Sequence, residues 1–380
     1  MKTYHRLAVA CLAGSLSFSA QADLSINGFA TLAGGMTLSD EDELYGYDDT
    51  FSFKSNSLMG LQVDADLGEG LTATAQITAK GADQWDTEFS WAYIGYEVND
   101  NLKFLVGRQR IPYYQYSDFV DIGYAYHWIA PPEETYSIPF DNTDGIGAIL
   151  TNELGPFSST LHLVYGRLTE EVEGNDLDSK NQISGAWNMN WDWLTFRLGY
   201  SQSDIQLGVP QVEAIAGAWE LAGFPEFVPP ISVTDDNNSG SYTNFGVTVD
   251  YDNLLIVTEI TEQKLEGTPF AESRGSYYAS FGYRFDSIMP HFTFGAVEQT
   301  PSDYSFLDAV PSGVSPQLDA LAGGTVQLFE SSREDLEYYI IGVRWDFHSS
   351  AALKVDYKSL KNTLTDENTN LLRFAISTVF

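Results

Sequence analysis

Stretches that alternate apolar and polar residues recur along the whole chain. Residues 71–80 read Leu-Thr-Ala-Thr-Ala-Gln-Ile-Thr-Ala-Lys, with apolar residues at odd positions, and residues 194–201, 351–358 and 371–380 repeat the alternation. A period of two residues predicts β-strands with one apolar and one polar face. The pattern predicts sixteen strands, at about 24–37, 51–67, 71–81, 89–98, 102–112, 143–153, 157–170, 182–191, 194–207, 241–251, 254–265, 275–285, 289–299, 335–346, 352–361 and 369–380.

The connections between these strands alternate in length. Seven are short, near 68–70, 99–101, 155–156, 192–193, 252–253, 286–287 and 349–350. Eight are longer, near 38–50, 82–88, 113–142, 171–181, 208–240, 266–274, 300–334 and 362–368. A soluble β-sandwich gives no reason for such sorting, whereas a transmembrane barrel has short periplasmic turns and long extracellular loops. We therefore predict an all-β, 16-stranded antiparallel transmembrane barrel.

The N-terminus has the features of an export signal. Lys2 and Arg6 precede the apolar stretch 7–16, and Ala20-Gln21-Ala22 is an A-x-A cleavage pattern. A lipoprotein signal at Cys11 fits poorly, because the apolar stretch before it is too short. We expect a cleaved signal peptide at 1–22, a barrel domain at 23–380 and localisation in the outer membrane.

Composition excludes several other classes. The chain of 380 residues has 19 Lys and Arg against 53 Asp and Glu, a formal charge of −34 that becomes −36 without Lys2 and Arg6. Such a chain is poorly suited to neutralising nucleic-acid phosphates. One Cys rules out an internal disulfide, and no apolar run reaches the roughly 18–20 residues of a membrane helix.

The last predicted strand ends in an aromatic residue. Leu372, Phe374, Ile376 and Phe380 share one face, and Arg373 lies on the other. An apolar face that ends in a C-terminal aromatic resembles the assembly signal of outer-membrane barrels. The resemblance implies that Phe380 is part of a signal for the barrel-assembly machinery.

Over its mature length the chain resembles the Gram-negative general porins. The resemblance rests on the sixteen strands, on Phe380, and on Gly107-Arg108-Gln109 leading into a long third loop at 113–142. It implies a homotrimer and a third loop that narrows a channel for passive diffusion of ions and small hydrophilic solutes. The Pro-Glu-Phe-Gly-Gly tip of enterobacterial porins is replaced here by residues 124–134. A channel specific for carbohydrates or anions, and a structural or adhesin barrel, remain as alternatives.

Basic residues on strands are assigned to the lumen, because a Lys or Arg facing lipid at the midplane costs about 2–4 kcal/mol. Arg108 and Arg110 share a face with Phe104 and Val106, so the alternation does not show whether they face lipid or lumen. The cost of a charge in lipid and the resemblance to porins both favour the lumen. The lumen set is Lys54, Lys80, Arg108, Arg110, Arg197, Arg284, Arg344, Lys354, Lys358 and Arg373.

The third loop supplies the opposite charge. Six of the basic residues are expected to form an arc across the barrel seam: Arg344, Lys354, Lys358, Arg373, Lys54 and Lys80. The loop carboxylates are Asp118, Asp121, Glu133, Glu134 and Asp141. An acidic loop facing a basic wall predicts a field across the channel. Neutralising Lys54, Lys80 and Arg108 would then shift selectivity toward cations. The alternative is simple pairing with local carboxylates such as Asp356 or Asp64.

Aromatic residues of the third loop have two interpretations. They are expected either to stack on sugar rings or to pack the loop against the wall, and packing is favoured. The set is Tyr113, Tyr114, Tyr116, Tyr124, Tyr126 and Trp128.

Two further loop features have no assigned chemistry. Acidic clusters at 40–43, 48–49, 170–171 and 173–178 would bind lipopolysaccharide through divalent cations, although diffuse solvated charge is favoured. Residues 210–217 and 316–323 resemble each other, with Pro first and Gly last, and predict two short helices over the channel mouth.

The sequence offers no catalytic constellation. His127, His162, His291 and His348 are widely separated, and no nucleophile motif, phosphate loop or metal spacing is present. We expect no enzymatic activity, no cofactor and no metal.

Overall fold

The computed structural model describes residues 23–380 except 173, 235–237, 268–269, 271–272 and 332. The predicted signal peptide lies outside the described residues. Sixteen strands are present: β1 Asp23–Thr37, β2 Leu58–Gly68, β3 Leu71–Lys80, β4 Thr87–Asn99, β5 Leu102–Arg110, β6 Asn142–Leu154, β7 Phe157–Val172, β8 Asn175–Trp191, β9 Leu194–Leu207, β10 Ser239–Tyr251, β11 Leu254–Glu266, β12 Ser273–Tyr283, β13 Ile288–Gln299, β14 Leu336–His348, β15 Ala351–Asn362 and β16 Glu367–Val379.

Every strand pairs antiparallel with its chain neighbours, and the sheet closes on itself. Phe29 of β1 is opposite Gly60 of β2 and Val379 of β16. The Phe380 ring covers the seam by packing directly on Gly28. A Cβ atom added at Gly28 would lie 2.2 Å from Cε2 of Phe380. The predicted 16-stranded antiparallel barrel is confirmed.

The alternation along each strand separates an apolar outer face from a polar inner face. On β16, Leu372, Phe374 and Ile376 are exposed on the outside, whereas Arg373 and Ser377 on the inner face have no exposure. Large apolar side chains exposed on every second residue are the outer surface of a membrane barrel.

Tight turns join the strands at the end of the barrel that also holds both termini. The turn residues Asp192, Asp252 and Asp286 have φ near +50°. Aspartate tolerates this left-handed conformation because its short side chain bonds to nearby backbone. Three of the seven predicted short turns are therefore formed by an aspartate suited to the conformation.

Two connections at the opposite end differ from the prediction. β2 begins at Leu58, so residues 38–57 form the first loop. β7 and β8 continue through the predicted loop 171–181 as one hairpin, with Val172 opposite Asn175. Arg167 and Asp178 form an ion pair across this hairpin at 2.8 Å. The pair neutralises one of the acidic residues whose clustering suggested a loop.

Helices occur in two of the long loops: α1 Pro210–Leu221 and α2 Val228–Ile231 in the fifth loop, and α3 Pro316–Glu330 in the seventh. α1 and α3 pack together through Val212, Trp219 and Phe329. The Trp219 indole donates a hydrogen bond of 3.0 Å to Thr325. None of the described helices is long and apolar enough to cross a membrane.

Candidate functional site

Residues 111–141, called loop 3 below, fold against the inner face of the barrel. Their polar contacts reach inward-facing side chains of β5 and of most strands from β8 to β16. At Gly123 the loop meets the wall closely, since an added Cβ would stand 2.3 Å from Thr31. Loop 3 therefore occupies one side of the barrel interior.

A cluster of buried charges fixes the second half of loop 3 to β15 and β16. The Lys358 ammonium lies 3.0 Å from Glu133 and 2.7 Å from Glu134, and Arg373 pairs with Glu133. The hydroxyl of Tyr45, from the first loop, donates to Glu134 and accepts from Lys358. We call these five residues the carboxylate clamp.

The clamp keeps its loop carboxylate charged. Burial raises the pKa of Glu133, but the charges of Arg373 and Lys358 outweigh it and hold the pKa below its usual range. Asp121 behaves alike: burial opposes its ionisation, and Arg110 and Lys80 lower its pKa. Both loop residues therefore remain ionised at neutral pH.

Two other basic side chains hold loop 3 by its backbone. Lys354 donates to the carbonyls of Gly123 and Trp128, the latter at 2.5 Å. Arg344 donates to the carbonyls of Tyr124 and Tyr126 at 2.8 and 2.9 Å. These bonds satisfy carbonyls that a buried irregular segment would otherwise leave unpaired.

The two ends of loop 3 are also fixed by charge. The Arg110 guanidinium lies 2.6 Å from Asp121 and 3.1 Å from Asp141, and is almost fully buried. On the far wall, Arg197 donates to the Pro112 carbonyl at 2.8 Å.

Two buried wall carboxylates complete the attachment: Glu259, which was not singled out in the sequence, and Asp356, which was named there only as a local partner for basic residues. Glu259 accepts from the Gln115 amide and from the hydroxyls of Tyr136 and Tyr278, each at 2.9 Å. Asp356 accepts the Ile129 amide at 2.9 Å and lies 3.3 Å from His291. Their inward parity was readable from the strand pattern, but their partners depend on where loop 3 folds.

The aromatic side chains of loop 3 are mostly buried in contacts with the wall. Tyr116, Tyr126 and Trp128 pack with Val257 and Tyr278. The Trp128 indole donates to Thr293 at 2.8 Å. Tyr113 and Tyr114 pack with Phe140 and Tyr242 in a second cluster, and Tyr124 lies 4.8 Å from Arg344.

Two basic residues are not where the sequence predicted. Lys54 lies in the first loop and is exposed, because β2 begins four residues later. Arg108 lies opposite Asp144 and Ala92, on the same parity as the exposed Val106, and so faces outward. It pairs with Asp144 at 3.0 Å and Glu170 at 3.2 Å near the end of β5, where the cost of a charge toward the membrane is small.

The remaining predicted basic residues lie on the inner side. Lys80 ends β3 and pairs with Glu88 at 3.1 Å. Arg284 pairs with Asp250 at 2.6 Å at the end with the short turns. Five members of the predicted arc contact carboxylates or carbonyls directly: Lys80, Arg344, Lys354, Lys358 and Arg373. Their charges are therefore paired locally and do not face an acidic loop across an open channel, as the sequence interpretation expected.

The inner wall of β2–β4 has a different character. Asp64 accepts hydrogen bonds from Gln62 and Thr74, both at 2.8 Å. Asp118, the exposed carboxylate of loop 3, lies close enough to act electrostatically on Tyr93 of this wall, as does Asp64. Neither carboxylate has a cationic partner within 4 Å among the described residues. A cavity of about 210 Å³ lies between loop 3 and β1–β3, lined by Lys80, Asp121 and Glu133.

A closed barrel with an apolar exterior, a polar interior and an inward-folded loop defines a transmembrane β-barrel of the channel-forming type. The model of the Gram-negative porin family matches residues 7–371. The chain therefore belongs to the Gram-negative porin family, and it forms an outer-membrane channel.

Solved structures agree on the fold. The outer membrane channel DcaP of Acinetobacter baumannii has a TM-score of 0.60 at 12% identity, covering 96% of this chain and 99% of that one. The anion-selective porin of Comamonas acidovorans has a TM-score of 0.58 at 12% identity, covering 95% of this chain and 100% of that one. OmpT of Vibrio cholerae, in its trimer form, has a TM-score of 0.54 at 14% identity, covering 94% of this chain and 99% of that one. No curated protein matches the chain by sequence.

Proposed function

We propose that this porin is a passive diffusion channel for ions and small hydrophilic solutes, that loop 3 narrows it, and that it catalyses no reaction. The attachment of loop 3 to β8–β16 supports this most directly, because it leaves the wall of β2–β4 facing the open interior. Solutes would pass between that wall and the 117–121 segment of loop 3. Hydroxyl, amide and carboxylate groups of Gln62, Asp64, Thr74 and Tyr93 line this side and suit hydrated solutes.

We further propose that the passage prefers cations. Lys354, Lys358 and Arg373 have no solvent exposure; loop 3 carboxylates pair with Lys358 and Arg373, and loop 3 carbonyls accept hydrogen bonds from Lys354. On the open side, Asp64 and Asp118 have no cationic partner within 4 Å among the described residues, whereas the part-exposed Lys80 is paired with Glu88. A narrow, low-dielectric-walled passage amplifies such uncompensated charge.

Reversal potentials in planar bilayers under a KCl gradient test this preference. The wild-type channel should be cation-selective, and Asp118→Asn should reduce the selectivity. Asp308→Asn, on the exposed seventh loop, is the matched control and should have less effect. Anion selectivity in the wild type would contradict the ion preference, and absence of any conductance would contradict the channel itself.

We also propose a homotrimer, in line with the trimer form of the OmpT neighbour. The outer face of β1–β3 supports this, because its exposed large residues are aliphatic, such as Leu32, Leu61 and Ile77. Aromatic residues mark the lipid-facing rims of barrels, and other strands carry them, for example Trp191 and Trp345. Leu61→Arg should dissociate trimers on native gels, whereas Ile260→Arg on the far side should not.

Two further partners follow from chemistry at the barrel ends. Divalent cations held by the acidic residues 40–43 would link the channel to lipopolysaccharide phosphates. Phe380, which is 67% exposed, would present the terminal aromatic to the barrel-assembly machinery. Loss of folded barrel in the outer membrane on Phe380→Ser would support the second proposal, and normal assembly would contradict it.

A further inference from the structure

The cavity between loop 3 and β1–β3 has room for a small solute. Its volume is about 210 Å³, and it opens to water on one side. Lys80 belongs to the strand wall, and Asp121 and Glu133 belong to the loop 3 wall. The cavity borders the proposed passage, because Asp121 lies in the 117–121 segment of loop 3. A concave site of this kind holds a ligand through a few polar groups that fix its orientation.

The two walls carry opposite charges that are not in contact. Among the described residues, the Lys80 ammonium has one carboxylate within 4 Å, that of Glu88 at 3.1 Å. Burial raises the pKa of Asp121, but the charges of Arg110 and Lys80 hold it below its ordinary value. Lys80 is therefore close enough to act on Asp121 across the cavity without forming an ion pair with it.

Both charged walls can be reached from water. The side chain of Lys80 is 32% exposed, and those of Glu133 and Asp121 are 18% and 11% exposed. Partly exposed charges at the edge of a cavity can exchange their water for a ligand without a large rearrangement of the protein. The cavity therefore offers accessible charge of both signs.

The polar groups of the lining retain hydrogen-bonding capacity. An ammonium has three donors, and the one ion pair of Lys80 leaves two of them. The side chain of Asp121 accepts one hydrogen bond among the described residues, from Arg110 at 2.6 Å, whereas a carboxylate has about four acceptor sites. The Asn56 amide accepts from Arg373 at 3.1 Å through Oδ1, and its NH2 group has no acceptor among the described residues.

We propose that this cavity binds a small zwitterion of the α-amino acid class. The carboxylate of the solute would accept hydrogen bonds from Lys80 and Asn56, and its ammonium would donate to Asp121 and Glu133. Such charge-assisted hydrogen bonds are stronger than those between neutral groups. An anion would meet two carboxylates in this cavity, a cation would meet Lys80, and a neutral sugar would leave both charged walls without a charged partner. A zwitterion complements both walls at once.

The site deepens the proposed diffusion function and rests on it. Flux of a solute that binds in the channel saturates, whereas simple diffusion rises linearly with concentration. L-Alanine and lactamide separate these cases, because they are isomers of the same size and only alanine is a zwitterion. The site therefore predicts a kinetic difference between the two solutes.

Flux of the labelled solutes into proteoliposomes measures this difference. At low concentration alanine should enter several-fold faster than lactamide and should saturate, and lactamide flux should be linear. Lys80→Met should raise the half-saturating alanine concentration about tenfold, the effect of one hydrogen bond to a charged group. Lys80→Arg keeps the charge and should retain saturation at a similar concentration.

Lys103→Met is the matched control. Lys103 pairs with Glu97 at 3.3 Å, and the two side chains are 30% and 53% exposed, against 32% and 50% for Lys80 and Glu88. This second pair lies at the end of the barrel with the short turns, away from the cavity. The variant should therefore leave the half-saturating alanine concentration unchanged.

Conductance in KCl is measured on the same preparations. If the wild type conducts and passes lactamide but shows no saturable preference for alanine, the zwitterion site is contradicted and the diffusion function stands. If it neither conducts nor passes lactamide, the diffusion function itself is contradicted. Equal saturation by L-lactate, which has no ammonium, would indicate an anion site and overturn the proposal. Should Lys80→Met fail to form channels, Lys80→Gln removes the same charge, and an unchanged alanine half-saturation in that variant would also overturn it.

Discussion

Lys358 shows how single residues determine the interior of this barrel. Its ammonium has no solvent exposure and lies between Glu133, Glu134 and the Tyr45 hydroxyl. Lys358→Met would leave these carboxylates buried with one cation fewer, which costs about 3–5 kcal/mol in comparable pairs. We expect a detached loop 3, seen as larger and noisier single-channel currents. Lys361→Met, an exposed lysine on the same strand, should behave as wild type. Identical currents for both variants would show that the carboxylate clamp does not hold the loop.

The pH response of the carboxylate clamp follows from the direction of its pKa shifts. Because the pKa of Glu133 is lowered, its contribution is complete above the ordinary carboxyl pKa of about 4.3 and is lost as the pH falls through the lower folded value. Burial lowers the pKa of His127 in loop 3 well below the usual histidine value, and the charge of His291 lowers it further. His127 therefore stays neutral at the pH values where a free histidine would begin to protonate. Conductance should thus be flat from about pH 7 to pH 5 and change only under stronger acid. A transition between pH 5 and 7 would be inconsistent with a clamp of this kind.

Whether a basic side chain faces the lumen could be predicted where apolar and polar residues alternate regularly. It could not be predicted where the partners of the side chain determine its direction. Lys354, Lys358 and Arg373 alternate with apolar residues, and all three are inward. Arg108 shares parity with Val106, and the energetic argument that placed it inside fails near a strand end, where Asp144 and Glu170 compensate its charge.

The helices α1 and α3 form one apolar unit on the extracellular side. Trp219 has no exposure and contacts Phe224 and Phe227. Trp219→Ala should cost about 3–5 kcal/mol of the unit's packing and expose the fifth and seventh loops. Limited proteolysis of the folded channel measures this, and cleavage should begin in these loops while the barrel persists. Leu221→Ala, at a side chain 92% exposed, should be cut no faster than wild type. Equal resistance of both variants would mean that the helices are not held together by this core.

At the scale of elements, strand positions followed from alternation alone, because each strand has two different environments. The Pro at the start of residues 210–217 and 316–323 predicted where both helices begin, but neither ends at the predicted Gly, since α1 continues to Leu221 and α3 to Glu330. Loop lengths were less certain. Asp176 and Asp178 suggested a loop but lie in a hairpin, where Asp178 pairs with Arg167 across the strands. Polar strands that extend beyond a membrane lose the apolar face that identifies them.

For the whole molecule, strand number and closure were readable from an even count of strands with alternating connections. The charge distribution was read only in part. The net charge of −34 concealed the pairing of buried Arg110, Lys358 and Arg373 with carboxylates of loop 3. That compensation depends on a loop of irregular backbone, and no periodic pattern encodes its path.

The central claim is that loop 3, held on one side of the barrel, sets the size of the passage. The test variant replaces residues 117–135 of loop 3 by a flexible Gly-Ser linker between Tyr116 and Tyr136, whose rings lie 6.5 Å apart. The most direct test is liposome swelling with neutral solutes of graded size for the wild type and this variant. The wild type should admit small solutes and exclude larger ones, and the variant should admit solutes that the wild type excludes. An unchanged size limit in the shortened channel, or no swelling with any solute in the wild type, would contradict the account.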